Sequence, residues 1–134
     1  MTIPNIRNAL ETALASILPA IDIVHEGEAY EPTADVPYCE AYLLVGTPGN
    51  PTLGDGYFRE QGVFQVNLHY PPKVGTFDAA MRAEQLRALF RRGATFSDSG
   101  VTVLIDKTPE IGGGAVEGDR WKVVVRARWH ADVQ

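Results

Sequence analysis

The chain is poor in the residues on which many small catalytic, secreted and membrane proteins depend. It has one cysteine in 134 residues, so Cys39 has no internal partner and a disulfide scaffold is excluded. No window approaches 18 consecutive apolar residues, which excludes a membrane-spanning helix. Serine is confined to Ser16, Ser97 and Ser99, none in a G-x-S-x-G setting, so the nucleophile elbow of a hydrolase is absent. The opening MTIPNIRNALETALASIL has one base and an acid at Glu11, which fits neither the cationic start nor the apolar centre of a signal peptide. A cytoplasmically made protein is the expectation.

Positive charge is also missing over a long stretch. Between Arg7 and Arg59 there is no Lys or Arg. Residues 1–56 carry one base and eight acids, a balance of −7, and residues 57–134 carry 11 bases and nine acids, a balance of +2. The overall −5 argues against nonspecific nucleic-acid binding, and its uneven distribution gives the chain an acidic half and a mildly basic half.

What is present suffices for one core. Hydrophobic residues make up 45% of the sequence, and a chain of this length is expected to form a single domain over residues 1–134 without disulfides or a structural metal. Thr2 is a suitable N-cap with Pro4 in the first turn, and Ile6, Leu10, Ala13, Leu14 and Ile17 recur at helical spacing until Pro19. A short strand is expected at 21–25. YCEAYLLV, residues 38–45, reads as a strand with Cys39, Ala41, Leu43 and Val45 on its apolar side. In 46–62, seven of 17 residues are Gly or Pro, which predicts a long excursion.

GVFQVNLHY, residues 62–70, alternates cleanly: Phe64, Val66, Leu68 and Tyr70 on one side, Gln65, Asn67 and His69 on the other. Pro71 and Pro72 end it. A second helix opens at Gly75 and Thr76, buries Ala79, Ala83, Leu86, Leu89 and Phe90, and stops at Gly93. Strands follow at 101–106 and 121–130, the second with Trp121, Val123, Val125, Ala127 and Trp129 on one face. The Gly-rich segment 107–120 between them predicts a hairpin with an oversized flexible loop. The order implies an α+β fold of two layers: a mainly antiparallel sheet, two helices packed on one face, and long loops projecting from it.

Local chemistry is sparse. His25, His69 and His130 fall on three separate strands without metal-ligand spacing, so they read as strand-face side chains. Cys39, on an apolar strand face, reads as an inert buried thiol. Residues 112–114 lack the Lys and Ser/Thr of a phosphate loop, and the acids of 22–31 lack the calcium-loop pattern. No catalytic, cofactor-binding or metal residue is assigned. The polar stripe Gln65, Asn67, His69 and the cationic one Arg126, Arg128, His130 allow either a solvated sheet face or a face that meets another subunit.

Taken together, IRNALETALASI, PYCEAYLLVGTPGNPTLGDG, GVFQVNLHYPP followed by GTFDAAMRAEQLRALF, GVTVLIDKTPEIG and the closing WKVVVRARW resemble, in order and spacing, the phage tail-terminator-like family, the relatives of the minor tail protein U of lambdoid phages. The resemblance covers nearly the whole chain. It implies a non-enzymatic α+β subunit of a phage or prophage, located in the virion tail after assembly in the host cytoplasm. There it forms a ring, typically a hexamer, on the end of the tail tube, stops polymerisation and offers a surface for head joining. The implied partners are further copies of itself, the major tail tube protein and a head–tail connector protein, with no cofactor, no membrane and no specific nucleic acid. A neck or head-completion protein is the nearest alternative, and a small ligand-binding module or enzyme using His69, His130 and the arginines is the alternative of a different class. As subunit or tail-tube contacts, the loops and the cationic strand offer Leu53, Tyr57, Phe58, Arg59, Ile111, Val116, Arg126 and Arg128, the apolar members being expected to lie exposed.

Overall fold

The computed structural model describes residues 2–17, 20–28, 30–31, 36–51, 56–72 and 75–133. Pro19 and Leu53 lie outside these residues.

Helix α1, Thr2–Ala15, buries Ile6, Ala9, Leu10, Ala13 and Leu14 along one stripe, as its spacing predicts. It closes with a tight turn in which the Ser16 hydroxyl donates to the Ala13 carbonyl at 2.6 Å. Helix α2, Gly75–Leu89, buries Ala79, Ala83 and Leu86, with Phe90 just beyond its end. Gly93 then takes a φ of 87°, the left-handed conformation that glycine adopts without steric cost.

Eight strands form one sheet: β1 (Asp22–His25), β2 (Tyr38–Val45), β3 (Phe58–Tyr70), β4 (Thr95–Asp98), β5 (Val101–Ile105), β6 (Glu110–Ile111), β7 (Ala115–Glu117) and β8 (Arg120–Val133). The order is β1-β2-β3-β8-β5-β4, with β6 and β7 also on β8. Among the described residues only β1 and β2 run parallel; every other pair is antiparallel. The fold is α+β, with the sheet curled around the helices. Its inner face carries Cys39, Ala41, Leu43, Phe64, Val66, Leu68, Val123, Val125, Ala127 and Trp129, packed with the buried stripes of α1 and α2. Phe64 meets Phe90 edge-on at 5.6 Å between centroids. The curl brings α1 against both margins: it packs on β4 and β5, while Glu11 pairs with His25 at 3.1 Å and Arg7 with Glu26 at 3.1 Å on the β1 side.

Three segments depart from the sequence expectation. β3 begins at Phe58, four residues before the predicted strand, because its early residues pair with the far end of β8 through Phe58↔Val133 and Glu60↔Ala131. β4, in residues 95–98 to which no element was assigned, pairs with β5. The expected flexible loop 107–120 is ordered against β8. β6 pairs as Glu110↔Arg126 and Ile111↔Val125, Gly112 N–H donates to Val124 O at 2.7 Å, and β7 pairs as Ala115↔Lys122. β5, β6 and β7 thus make one interrupted strand along β8, with extra residues bulged out between the paired stretches. One bulge is held by the fully buried Pro109, whose carbonyl accepts from Arg87 Nε at 3.1 Å. At the other, Gly114 lies under the Trp121 ring: a Cβ there would stand 2.0 Å from a ring carbon.

Candidate assembly interface

With both helices on the inner face, no described helix or strand covers the outer face of β2, β3 and β8. The register aligns its side chains in rows across the three strands: Tyr38, His69, Lys122; then Glu40, Asn67, Val124; Tyr42, Gln65, Arg126; and Leu44, Val63, Arg128. Side chains opposite each other in an antiparallel pair share a face, so each row is a set of contacts.

The first three rows are knitted together. His69 is buried, stacked on Tyr38 at 4.6 Å between centroids and 11° between planes, and its Nε2 lies 2.6 Å from Glu40 Oε1. Tyr42 donates from its hydroxyl to Glu40 Oε2 at 3.0 Å. Arg126 Nε donates to Gln65 Oε1 at 3.1 Å, and Gln65 Nε2 donates to Asn67 Oδ1 at 3.0 Å. Arg120 sits over the Tyr38 ring at 5.2 Å and donates to the Val36 carbonyl at 2.5 Å. Burial, and after it the Glu40 carboxylate, raise the Tyr38 phenol above its ordinary pKa, and burial with the hydrogen bond to Glu40 does the same for Tyr42. The polar part of this face is therefore preorganised by its own bonds.

The fourth row is different. Leu44 is 48% exposed beside the half-buried Val63, and Arg126 and Arg128 are exposed on the β8 side of Val63. A small depression of about 80 Å³ lies between Val63, Lys107, Thr108, Glu110 and the two arginines. An apolar centre with a charged rim is the common anatomy of a protein–protein contact.

The expected contact residues divide along the molecule. Arg126 and Arg128 share the outer face. Tyr57, Phe58 and Arg59 lie at the start of β3, where Arg59 grips Asp132 through Nε–Oδ1 at 2.7 Å and Nη2–Oδ2 at 3.2 Å. That hydrogen bond raises the Arg59 pKa and lowers that of Asp132. Val116 lies on β7 at the other end; the 12 residue steps along β8 from its partner Trp121 to Val133, the partner of Phe58, cover about 40 Å of strand. The apolar members are not uniformly exposed, contrary to expectation. Val116 is 66% exposed, but Tyr57 and Phe58 are half-buried and Ile111 packs against the core. Strand pairing turned Phe58 and Ile111 inward, which a Gly- and Pro-rich sequence does not reveal. Leu44 was not singled out from the sequence, although the alternation of β2 already placed it on the side of Tyr38 and Glu40.

The histidines stay apart, each beside its own carboxylate: His25 with Glu11, His69 with Glu40 and His130 with Asp106. Among the described residues no group of three or more His, Cys, Asp and Glu is placed to hold a metal ion. Cys39 is fully buried, and burial pushes its thiol up to about 12, which keeps it protonated. No described helix is long and apolar enough to cross a membrane.

The comparisons with known proteins agree with this architecture. No curated protein matches the chain. One solved structure is similar over 100% of this chain and 96% of its own, with a TM-score of 0.77 and 27% sequence identity. A family model described as phage tail terminator protein matches residues 5–129. The chain therefore belongs to the phage tail terminator protein family, a structural rather than catalytic family that completes the virion tail through contacts with other tail components.

Proposed function

We propose that residues 1–134 act as one non-enzymatic tail-terminator-like domain that assembles as a ring, a hexamer, on the end of the tail tube. The ring stops tube polymerisation and offers a surface for head joining. Its partners are further copies of the chain, the major tail tube protein and a head–tail connector protein. The observation that carries this reading is the outer sheet face, left uncovered among the described residues, where Leu44 and Val63 lie beside Arg126 and Arg128. A closed ring repeats one contact between two different patches of each subunit. The chain supplies unlike patches: the −7 half contributes α1, β1 and β2, and the +2 half contributes β3 onward. Complementary charge of this kind orients subunits and speeds their encounter. Six copies carry about −30, which repels passing DNA from the lumen.

The test is the double variant R126E/R128E. Both side chains are exposed, so the monomer keeps its fold, whereas rings on tail tubes are lost. Phe58 and Ile111 are unsuitable for this purpose, because charging either would disturb the packing of the monomer. Rings formed normally by the R126E/R128E protein would remove the outer face from the contact.

A further inference from the structure

Arg82 is a buried cation that forms no ion pair among the described residues. Arg82 lies mid-way along α2 on the side turned to the sheet and is 7% exposed. Its Nε donates to the Tyr70 hydroxyl at 3.2 Å, but Nη1 is buried with no hydrogen-bond partner among the described residues. Among the described residues no carboxylate is within ion-pair distance; Asp78, one turn earlier, lies in the same neighbourhood without closing on it. A buried guanidinium left in this state is costly, because desolvation is not offset by an opposite charge.

Arg82 lines an open pocket of about 380 Å³ with Tyr70, Asp78, Met81, Gln85 and Pro37. Beside it two large apolar side chains stand in solvent on the outer side of α2, Phe77 at 71% exposure and Met81 at 52%.

The geometry points to a carboxylate-binding site at Arg82 that receives an acidic side chain from a second copy of this chain. The inference rests on the ring reading and names one of its contacts. A guanidinium fork with free donor capacity selects an anion that accepts planar hydrogen bonds, which a carboxylate does. Asp78 on the wall opposes a second negative charge, which disfavours a phosphate dianion. The exposed Met81 in the lining, with the exposed Phe77 one turn before it on α2, fits a protein-borne carboxylate better than a free acid, since an arriving chain would bury such apolar surface. The chain itself carries the complementary groups: 17 acids against 12 bases, with Glu28 and Glu31 exposed and in no ion pair among the described residues.

The test uses R82M, which keeps much of the side-chain bulk and removes the charge. Sedimentation velocity across a concentration series, with and without tail tubes, reads association; thermal unfolding reads the monomer. A second measurement compares unfolding in sodium acetate and in sodium chloride of equal ionic strength, with acetate as the probe. The expected result is association at least tenfold weaker in R82M, a melting temperature equal to or above that of the unsubstituted protein, and an acetate stabilisation present only when Arg82 is. A melting temperature lowered by several degrees in R82M would make Arg82 a structural element and overturn the site. Unchanged association in R82M, or an acetate effect that survives in it, would overturn the site and leave the ring reading intact. An unsubstituted protein that never associates, even on tubes, would overturn the second copy as the source together with the ring reading.

Discussion

The run Gly112, Gly113, Gly114 provides a sharp test of how the C-terminal hairpin is built, because three identical residues have unlike surroundings. A Cβ at Gly113 would meet nothing within 4 Å, and one at Gly112 would make an ordinary contact with Val124 O at 3.4 Å. At Gly114 the same atom would stand 2.0 Å from Cζ2 and 2.3 Å from Cε2 of Trp121. The ring must swing away, since its wide, rigid body cannot absorb such an overlap by a small rotation. A fully buried aromatic side chain contributes about 4–6 kcal/mol at ~25 cal/mol per Å² over 150–250 Å². Trp121 is half-buried, so displacing it costs about 2–3 kcal/mol. At ~2.1 cal/mol/K per residue the 134-residue chain has an unfolding entropy of roughly 0.28 kcal/mol/K, so about 2 kcal/mol lowers Tm by about 7 °C. G113A is expected to be neutral or slightly stabilising, because alanine restricts the unfolded chain. Thermal unfolding by circular dichroism, with tryptophan emission to follow the ring, measures all of this. Trp129 is fully buried and serves as an internal reference. Equal melting temperatures for G113A and G114A would refute the packing of residues 112–114 against β8.

The other expectations are independent of that hairpin. F64A removes a fully buried ring from its edge contact with Phe90 and should cost about 3–5 kcal/mol in denaturant unfolding; a cost below about 1 kcal/mol would place the core elsewhere. Cys39, pushed up to about 12 by burial, should resist a thiol reagent in the native protein at pH 8 and react stoichiometrically in denaturant. Rapid native labelling would contradict its place beneath α1 and α2. Asp132 has its pKa lowered by the hydrogen bond from Arg59. Its contribution is therefore present above the unfolded carboxylate range and is lost as pH falls through the lower folded value, so D132N should flatten the acid limb of the stability profile. An unaltered acid limb in D132N would show that the Arg59 pair adds nothing to stability.

Much of the architecture was legible because burial follows period. The stripes of α1 and α2 and the alternation in β2, β3 and β8 place Ile6, Leu10, Phe64, Val66, Leu68, Val125 and Trp129 inward, and all are buried. What escaped was decided by pairing, which leaves little trace in composition. FREQ at the start of β3 reads as polar loop, yet its backbone completes the ladder to β8 while Arg59 closes on Asp132. TFSD is too short and polar to announce β4. Residues 107–117 contain the glycines and proline that normally interrupt a strand, and here those residues occupy the bulges. On the outer face Arg126 and Arg128 were recognisable from alternation alone, whereas Arg82 was not. An arginine at a helical position reads as solvent-facing until the neighbouring Tyr70 and the pocket are in place.

The most direct test of tail termination is electron microscopy of tail tubes polymerising in the presence and absence of this protein. The account predicts rings seated on tube ends and a tube length that stops increasing once they bind, with R126E/R128E protein leaving growth unchecked. Tubes that elongate equally with and without the unsubstituted protein, their ends bare, would contradict it.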